Sequence, residues 1–353
     1  MIGALARFSI AELEGILAAW GCKTSHAGRL VREFYASGGE LSADDRALPA
    51  GLLERIRAEL DTPLVARLEA RQTSADGTTK LLLKLEDSRT VESVMMPDLR
   101  GQRVAGCISS QVGCAMACDF CATTKSGFER NLAAAEMVAQ FLALRREAAA
   151  IGRRLQTIVF MGMGEPLLNV DEVLEAVERI ADNRYGALGW RQVTISTVGI
   201  VPGIDRLAAT GLAFHLAVSL HAPDDETRAT LLPTGRRFAI SDILAAADRF
   251  QSVRGRPVTI QYCLLRGVND SVAHAHALAG LLGSRRMHVN LLHYNATGTS
   301  LRGVDYQASS PLDELAFAKT LRTRGVVTHF RRSRGDDIDA ACGQLRERQA
   351  GGG

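Results

Sequence analysis

The sequence predicts an α/β protein: a partial (β/α) barrel preceded by a small helical accessory domain. Two observations carry this. From Thr79 onward, short β-prone apolar runs alternate with helical patterns, the signature of parallel strands joined by crossover helices. Polar motifs also follow the ends of many successive strands, as they do where a barrel gathers its loops on one rim. The predicted boundaries are 1–78 for the accessory domain, 79–345 for the core, and 346–353 for a disordered tail ending in Gly351-Gly352-Gly353.

The elements follow in order. Ile10–Trp20 has helical apolar spacing with Gly21 as a stop, and Leu52–Leu68 repeats the pattern, so residues 1–75 read as helical. Leu81–Leu85 and Val91–Met95 flank Asp87-Ser88 and predict a β-hairpin. Strands are then expected at Val104–Ser109, Thr157–Met161, Gln192–Ser196, Phe214–Ser219, Val258–Leu265, His288–Leu292 and Val326–Phe330. Helices are expected between them at Leu132–Arg145, Val170–Ala181, Ile240–Phe250, Ser271–Leu282 and Pro311–Thr323. An open Rossmann-like sheet shares this alternation. The spread of motifs over many strand ends favours the barrel.

At 353 residues, with 46% hydrophobic and 23% charged residues, the chain has room for one large domain and a small appendage. No apolar run is long enough to span a membrane, and the start carries no export pattern, so a cytoplasmic protein without a membrane partner is expected. A net charge of +3 cannot by itself support a nucleic-acid role. Arg322, Arg324, Arg331, Arg332 and Arg334 nevertheless form an acid-free run, which reads either as solvated surface or as a phosphate-binding stretch.

Seven cysteines, an odd number without an export signal, argue for metal or catalytic thiols over a disulfide framework. Four of them fall within residues 107–121. Cys114-Ala115-Met116-Ala117-Cys118-Asp119-Phe120-Cys121 gives a C-x3-C-x2-C spacing just after a candidate strand. Three thiolates so spaced can ligate three irons of a [4Fe-4S] cube and leave the fourth iron open. A zinc site using Cys118-x2-Cys121 with Cys107 is the alternative, although structural zinc sites usually pair two short-spaced halves. Gly162-Met163-Gly164-Glu165 follows another strand and fails the dinucleotide fingerprint, because Leu167 stands at the third glycine position.

The segments Cys107–Cys121, Gly127-Phe128, Arg130-Asn131-Leu132 and Met161–Asn169 closely resemble the RlmN/Cfr family of radical S-adenosylmethionine RNA methyltransferases. The resemblance continues through Val193–Thr197, Ser219–Pro223, Gly267–Asp270 and Arg334–Leu345, in the family's order over residues 80–345. It implies a radical S-adenosylmethionine barrel in which Cys114, Cys118 and Cys121 hold the cluster. Gly164, Glu165, Ser196, Ser219, Leu220, His221 and Asn295 are the implied S-adenosylmethionine contacts. Cys342 is the implied methyl-carrying thiol, Cys107 the second catalytic cysteine and Glu92 the catalytic carboxylate. Cys22 and Cys263 match no functional position.

The family's chemistry explains two thiols outside the cluster. Cys342 takes a methyl from one S-adenosylmethionine, and a radical made from a second removes hydrogen from that methyl. The carbon adds to an adenine ring, Cys107 takes a proton, and a Cys107–Cys342 disulfide forms as product leaves. The implied substrate is 23S rRNA near the peptidyl transferase centre, methylated at adenosine carbon 2, with tRNA as a further target. An electron donor such as flavodoxin and a monomeric state are expected. Carbon 8 or another RNA, a small-molecule substrate, and a zinc-stabilised RNA-binding module are the alternatives. The stretch Leu292–Gly298 lacks a proline-bearing turn common in housekeeping members, and Cys121–Lys125 leans toward the Cfr-like branch.

Overall fold

In the computed structural model, residues 4–41, 48–49, 51–60, 65–98, 101–331 and 333–345 are described. The expected tail at 346–353 and Arg332 of the arginine run lie outside them. Three helices come first: α1 (Ile10–Ala19), α2 (His26–Ala36) and α3 (Leu52–Glu59). A capping box fixes the start of α1, with Ser9 Oγ accepting from Glu12 N at 3.2 Å and Ser9 N donating to the Glu12 carboxylate at 2.7 Å. Leu13 and Leu17 of α1 and Leu30, Val31, Phe34 and Tyr35 of α2 are buried.

Ten strands form one sheet. It begins with the antiparallel run β1 (Ala66–Thr73), β2 (Thr79–Leu85), β3 (Thr90–Pro97) and β4 (Arg103–Ile108). The short hairpin β5 (Gln111–Gly113) and β6 (Phe128–Asn131) stands outside it and brackets the C-x3-C-x2-C loop. From β4 onward every pairing is parallel, through β7 (Arg154–Phe160), β8 (Val193–Thr197), β9 (His215–Ser219), β10 (Val258–Leu264), β11 (Met287–His293) and β12 (Thr328–Arg331). The crossovers carry α4 (Ala134–Ala150), α5 (Val170–Ala181), α6 (Val201–Ala209), α7 (Asp225–Leu231), α8 (Ile240–Arg254), α9 (Val272–Leu282) and α10 (Pro311–Thr323). This is the predicted alternation.

The sheet curls without closing. Val94 and Met96 of β3, Cys107 of β4 and Val159 of β7 face the same cavity as Leu292 of β11 and Phe330 of β12. The edge strands β1 and β12 stand at opposite ends of the strand order. That is a partial barrel.

The first seventy-odd residues differ from the helical expectation. Strand β1 occupies Ala66–Thr73 and pairs with β2, so the boundary expected at residue 78 falls inside a continuous meander. All of β1 after Ala66 is solvent-exposed, as an edge strand carrying arginines and Glu69 can be. The helices α1 and α2 are not set apart either. Their buried faces belong to the same apolar core as α4 and α5, Tyr185 OH accepts from Ile10 N at 3.1 Å, and Arg179 on α5 donates to the Ala6 carbonyl at 2.6 Å. Among the described residues no helix is long and apolar enough to cross a membrane.

Candidate active site

The cysteine loop leaves β5 through Gly113, whose φ of +73° is left-handed. A Cβ there would stand 1.9 Å from the Gly127 carbonyl oxygen, so only glycine fits. That same carbonyl accepts from Cys114 N at 2.7 Å, which ties the first thiol to the end of the hairpin. Thr124 Oγ1 donates to the Cys118 and Cys121 carbonyls at 3.1 and 2.9 Å. Asp119 is buried and accepts from Ser300 Oγ at 3.0 Å and Tyr306 OH at 2.9 Å, anchoring the loop to the segment after β11.

Cys114, Cys118 and Cys121 share one apolar cluster with Met116, Phe120 and Tyr294. Burial pushes the Cys114 thiol up to about 12 and Cys118 well above its ordinary value, and the neighbouring Cys121 charge adds to both. Burial raises Cys121 too. Dry, mutually repelling thiols of this kind deprotonate when a cation takes the protons' place, as iron does. Among the described residues no three His, Cys, Asp or Glu side chains converge tightly enough to grip a single ion. Three thiols on one loop, without a second short-spaced pair beside them, fit three irons of a [4Fe-4S] cube better than a structural zinc site. Arg228, passed over in the sequence, is buried beside them. It donates to the Gly235 carbonyl at 2.9 Å and to the Val198 carbonyl, and its charge favours the Cys118 thiolate.

One cavity opens directly on this loop. Cys118 and Cys121 line it with Gly164, Glu165, Ser196, Ser219 and His221. Gly164 has φ +100°, and a Cβ there would meet Gln111 Cβ at 2.6 Å, so the glycine lets β7's exit pack against the start of β5. Glu165 is buried, with its carboxylate accepting from Leu167 N at 3.0 Å and Val198 N at 2.8 Å. Burial still pushes it up to about 7, and no cation figures among the groups that hold it. Gln261, also buried on this wall, has an Oε1 without a hydrogen-bond partner. An uncompensated carboxylate and an orphaned acceptor fit the ammonium and hydroxyl donors of S-adenosylmethionine.

The other expected contacts divide. Ser196 and Ser219 hydroxyls stand 3.4 Å apart on the cavity wall. His221 adopts φ +59°, and its Nδ1 accepts from Cys263 N at 3.0 Å. Burial lowers the imidazole to about 3, with the Arg228 charge adding to the shift, so the ring is neutral. Leu220 is wholly buried in the main core and lines neither cavity; its N–H donates to the Gln261 carbonyl at 3.1 Å. Asn295 lines the second, larger cavity instead.

That larger cavity, about 580 Å³, runs along the barrel interior and is lined by Cys107, Asn295, Arg331, Arg334 and Cys342. Burial pushes Cys107 up to about 12, with Cys342 adding to the rise and Arg331 opposing it. Cys342 is exposed and lines both cavities, whereas Cys107 lines only the larger. The segment bearing Cys342 lies against the cysteine loop: Ala122 N donates to the Gly343 carbonyl at 2.7 Å and Thr123 Oγ1 to the Leu345 carbonyl at 2.5 Å. Glu92, which as a strand residue reads as exposed, is buried and pairs with Lys80 at 3.1 Å, because the curled sheet turns β3's Glu92, Val94 and Met96 inward. Of the arginine run, Arg331 faces the cavity and Arg334 donates to the Pro97 carbonyl, so these two are not plain surface.

A partial barrel with three thiols at the rim beside a cavity of this chemistry defines a radical S-adenosylmethionine enzyme. The radical SAM superfamily model matches residues 108–279. A protein of Opitutus terrae named probable dual-specificity RNA methyltransferase RlmN 1 is 70% identical over 98% of this chain and 97% of its own length. A Frankia alni protein of the corresponding name is 44% identical over 98% of this chain and 84% of its own length. The crystal structure of a radical SAM methyltransferase from Sphaerobacter thermophilus superposes with a TM-score of 0.88 at 40% identity, covering 97% of this chain and 99% of that one. The chain belongs to the RlmN family of radical S-adenosylmethionine RNA methyltransferases.

Proposed function

We propose that this enzyme methylates carbon 2 of an adenosine in 23S rRNA near the peptidyl transferase centre, and of an adenosine in tRNA, through a methyl group carried on Cys342. The observation that carries the reading is Cys342's double exposure. It borders the cavity suited to S-adenosylmethionine and also the larger cavity that holds Cys107. A thiol at that junction can take a methyl on one side and deliver it on the other. The relatives' names speak of dual specificity for RNA, which supports two RNA substrates.

Cys114, Cys118 and Cys121 would hold the [4Fe-4S] cluster, and Glu165, Gln261, Ser196 and Ser219 would orient S-adenosylmethionine. When bound, that pair supplies a carbon radical able to remove hydrogen from an unactivated methyl. The protein's own contribution is positional and protolytic. Cys342, once its thiol proton is lost to solvent, would accept the sulfonium methyl as a thioether, with the demethylated donor as leaving group. Cys107 would take a proton as the product leaves, which requires its thiolate; burial opposes that form and the nearby Arg331 charge favours it. The cavity's volume suits one extruded nucleoside. A flavodoxin-type electron donor, a monomeric state and a cytoplasmic site of action complete the proposal.

Mass spectrometry of nucleosides from rRNA and tRNA incubated with the reconstituted enzyme is the test. Expected is 2-methyladenosine that disappears with Cys342→Ala. 8-Methyladenosine would move the assignment to the alternative carbon, and unmodified RNA with active cofactor cleavage would point to a small-molecule substrate.

A further inference from the structure

Lys80 lies on β2 and faces the barrel interior, where it is almost entirely buried. Its ammonium stands 3.1 Å from Glu92 Oε1 on β3 and donates to the Asp339 carbonyl at 3.3 Å. Asp339 is three residues before Cys342 and holds φ +53°, a left-handed turn that aims its carbonyl away from the run of the chain. A few residues earlier, Gly335 is also left-handed, and a Cβ on it would collide with Thr78 and Ala340 at 2.8 and 2.9 Å. The Cys342 segment thus rests on the start of β2, with Lys80 as a buried charged contact. A lysine is costly to bury. Its role is therefore sought in the groups it holds.

We propose that Lys80 is a positioning residue for the methyl-carrying thiol: by tying the Asp339 carbonyl and the Glu92 carboxylate to one point, it fixes the Cys342 segment at the junction of the two cavities. This rests on the reading of Cys342 as the methyl carrier. Lys80 lines neither cavity and is not a catalytic residue. Its removal is expected to loosen the segment and lower kcat while leaving KM for RNA unchanged.

The test uses the full chain reconstituted with its cluster, as Lys80→Met, Lys80→Arg and the double variant Lys80→Met/Glu92→Gln. The double variant removes both members of the Lys80–Glu92 pair, which guards against simple unfolding. Iron content, amide hydrogen exchange of residues 335–345 read by mass spectrometry, and kcat and KM for RNA are measured. Expected is full iron content with exchange in this segment about tenfold faster in both Met variants, the weight of one hydrogen bond from a charged donor. kcat should fall in Lys80→Met and recover in part in Lys80→Arg. Wild-type exchange rates in both Met variants would overturn the proposal. So would loss of iron in all three, with Arg no better than Met, because that is a general folding role. Failure of the underlying reading shows differently: the unsubstituted enzyme leaves RNA unmodified, or Cys342→Ala methylates it normally, whatever the exchange rates.

Discussion

Gly113→Ala isolates the steric demand at the entrance to the cysteine loop. Two terms add. A left-handed φ costs an alanine about 1–2 kcal/mol. In addition, the new Cβ would sit 1.9 Å from the Gly127 carbonyl, so the backbone of β5 or β6 has to move by more than an ångström. Forcing atoms into packed structure costs about 1–3 kcal/mol, occasionally more. Gly152→Ala separates the terms, since Gly152 has a similar φ of +68° and nothing within 4 Å of its Cβ position. Expected are losses of about 1–2 kcal/mol for Gly152→Ala and about 2–5 kcal/mol for Gly113→Ala. The displaced carbonyl also holds Cys114 N, so Gly113→Ala should bind less iron while Gly152→Ala reconstitutes fully. Anaerobic urea unfolding of the apoprotein and iron analysis after reconstitution read both effects. A Gly113→Ala protein with full iron content and the stability of Gly152→Ala would refute the reasoning.

Three further predictions concern named side chains. Cys114→Ala, Cys118→Ala and Cys121→Ala should each abolish the cluster and 5′-deoxyadenosine formation; a full iron complement in any of them removes that cysteine from the ligand set. Cys107→Ala should still acquire the methyl and stall as a covalent protein–RNA adduct, whereas Cys342→Ala should trap nothing, which a denaturing gel with labelled RNA distinguishes. Finally, the His221 imidazole is depressed to about 3 from an unfolded value of about 6.5, so the unfolded chain binds the extra proton first. Its contribution is intact above pH 6.5 and erodes as the pH falls toward 3, by about 2 kcal/mol at pH 5. Apoprotein unfolding at pH 7 and pH 5 should show that loss, and His221→Gln should remove it; an equal loss in the variant rules His221 out as the source.

The parallel strands and their helices were legible because both periods are strong there: Val170–Ala181 is a helix with the expected bounds. Strand β1 was missed although Ala66, Leu68 and Ala70 alternate with Arg67, Glu69 and Arg71, the period of a strand. Leucines upstream at helical spacing masked that alternation. Helices α6 and α7 are short, and the first begins at Val201-Pro202, so neither offers a long apolar stripe. Within the site, the three clustered thiols could be found from spacing alone, because covalent spacing limits what a loop can ligate. Lys80, Arg228 and Gln261 could not. Each acts through partners distant in sequence, and nothing local distinguishes a buried lysine on a strand from an exposed one.

Three anchors of the Cys342 segment fall on its main chain: the carbonyls of Asp339, Gly343 and Leu345 accept bonds from Lys80, Ala122 N and Thr123. A carbonyl is the same whichever residue bears it. The address of the methyl-carrying sulfur is therefore written mainly in β2 and the cysteine loop, more than two hundred positions upstream in the chain. A change at Thr123 or Lys80 therefore rewrites that address without touching the cysteine.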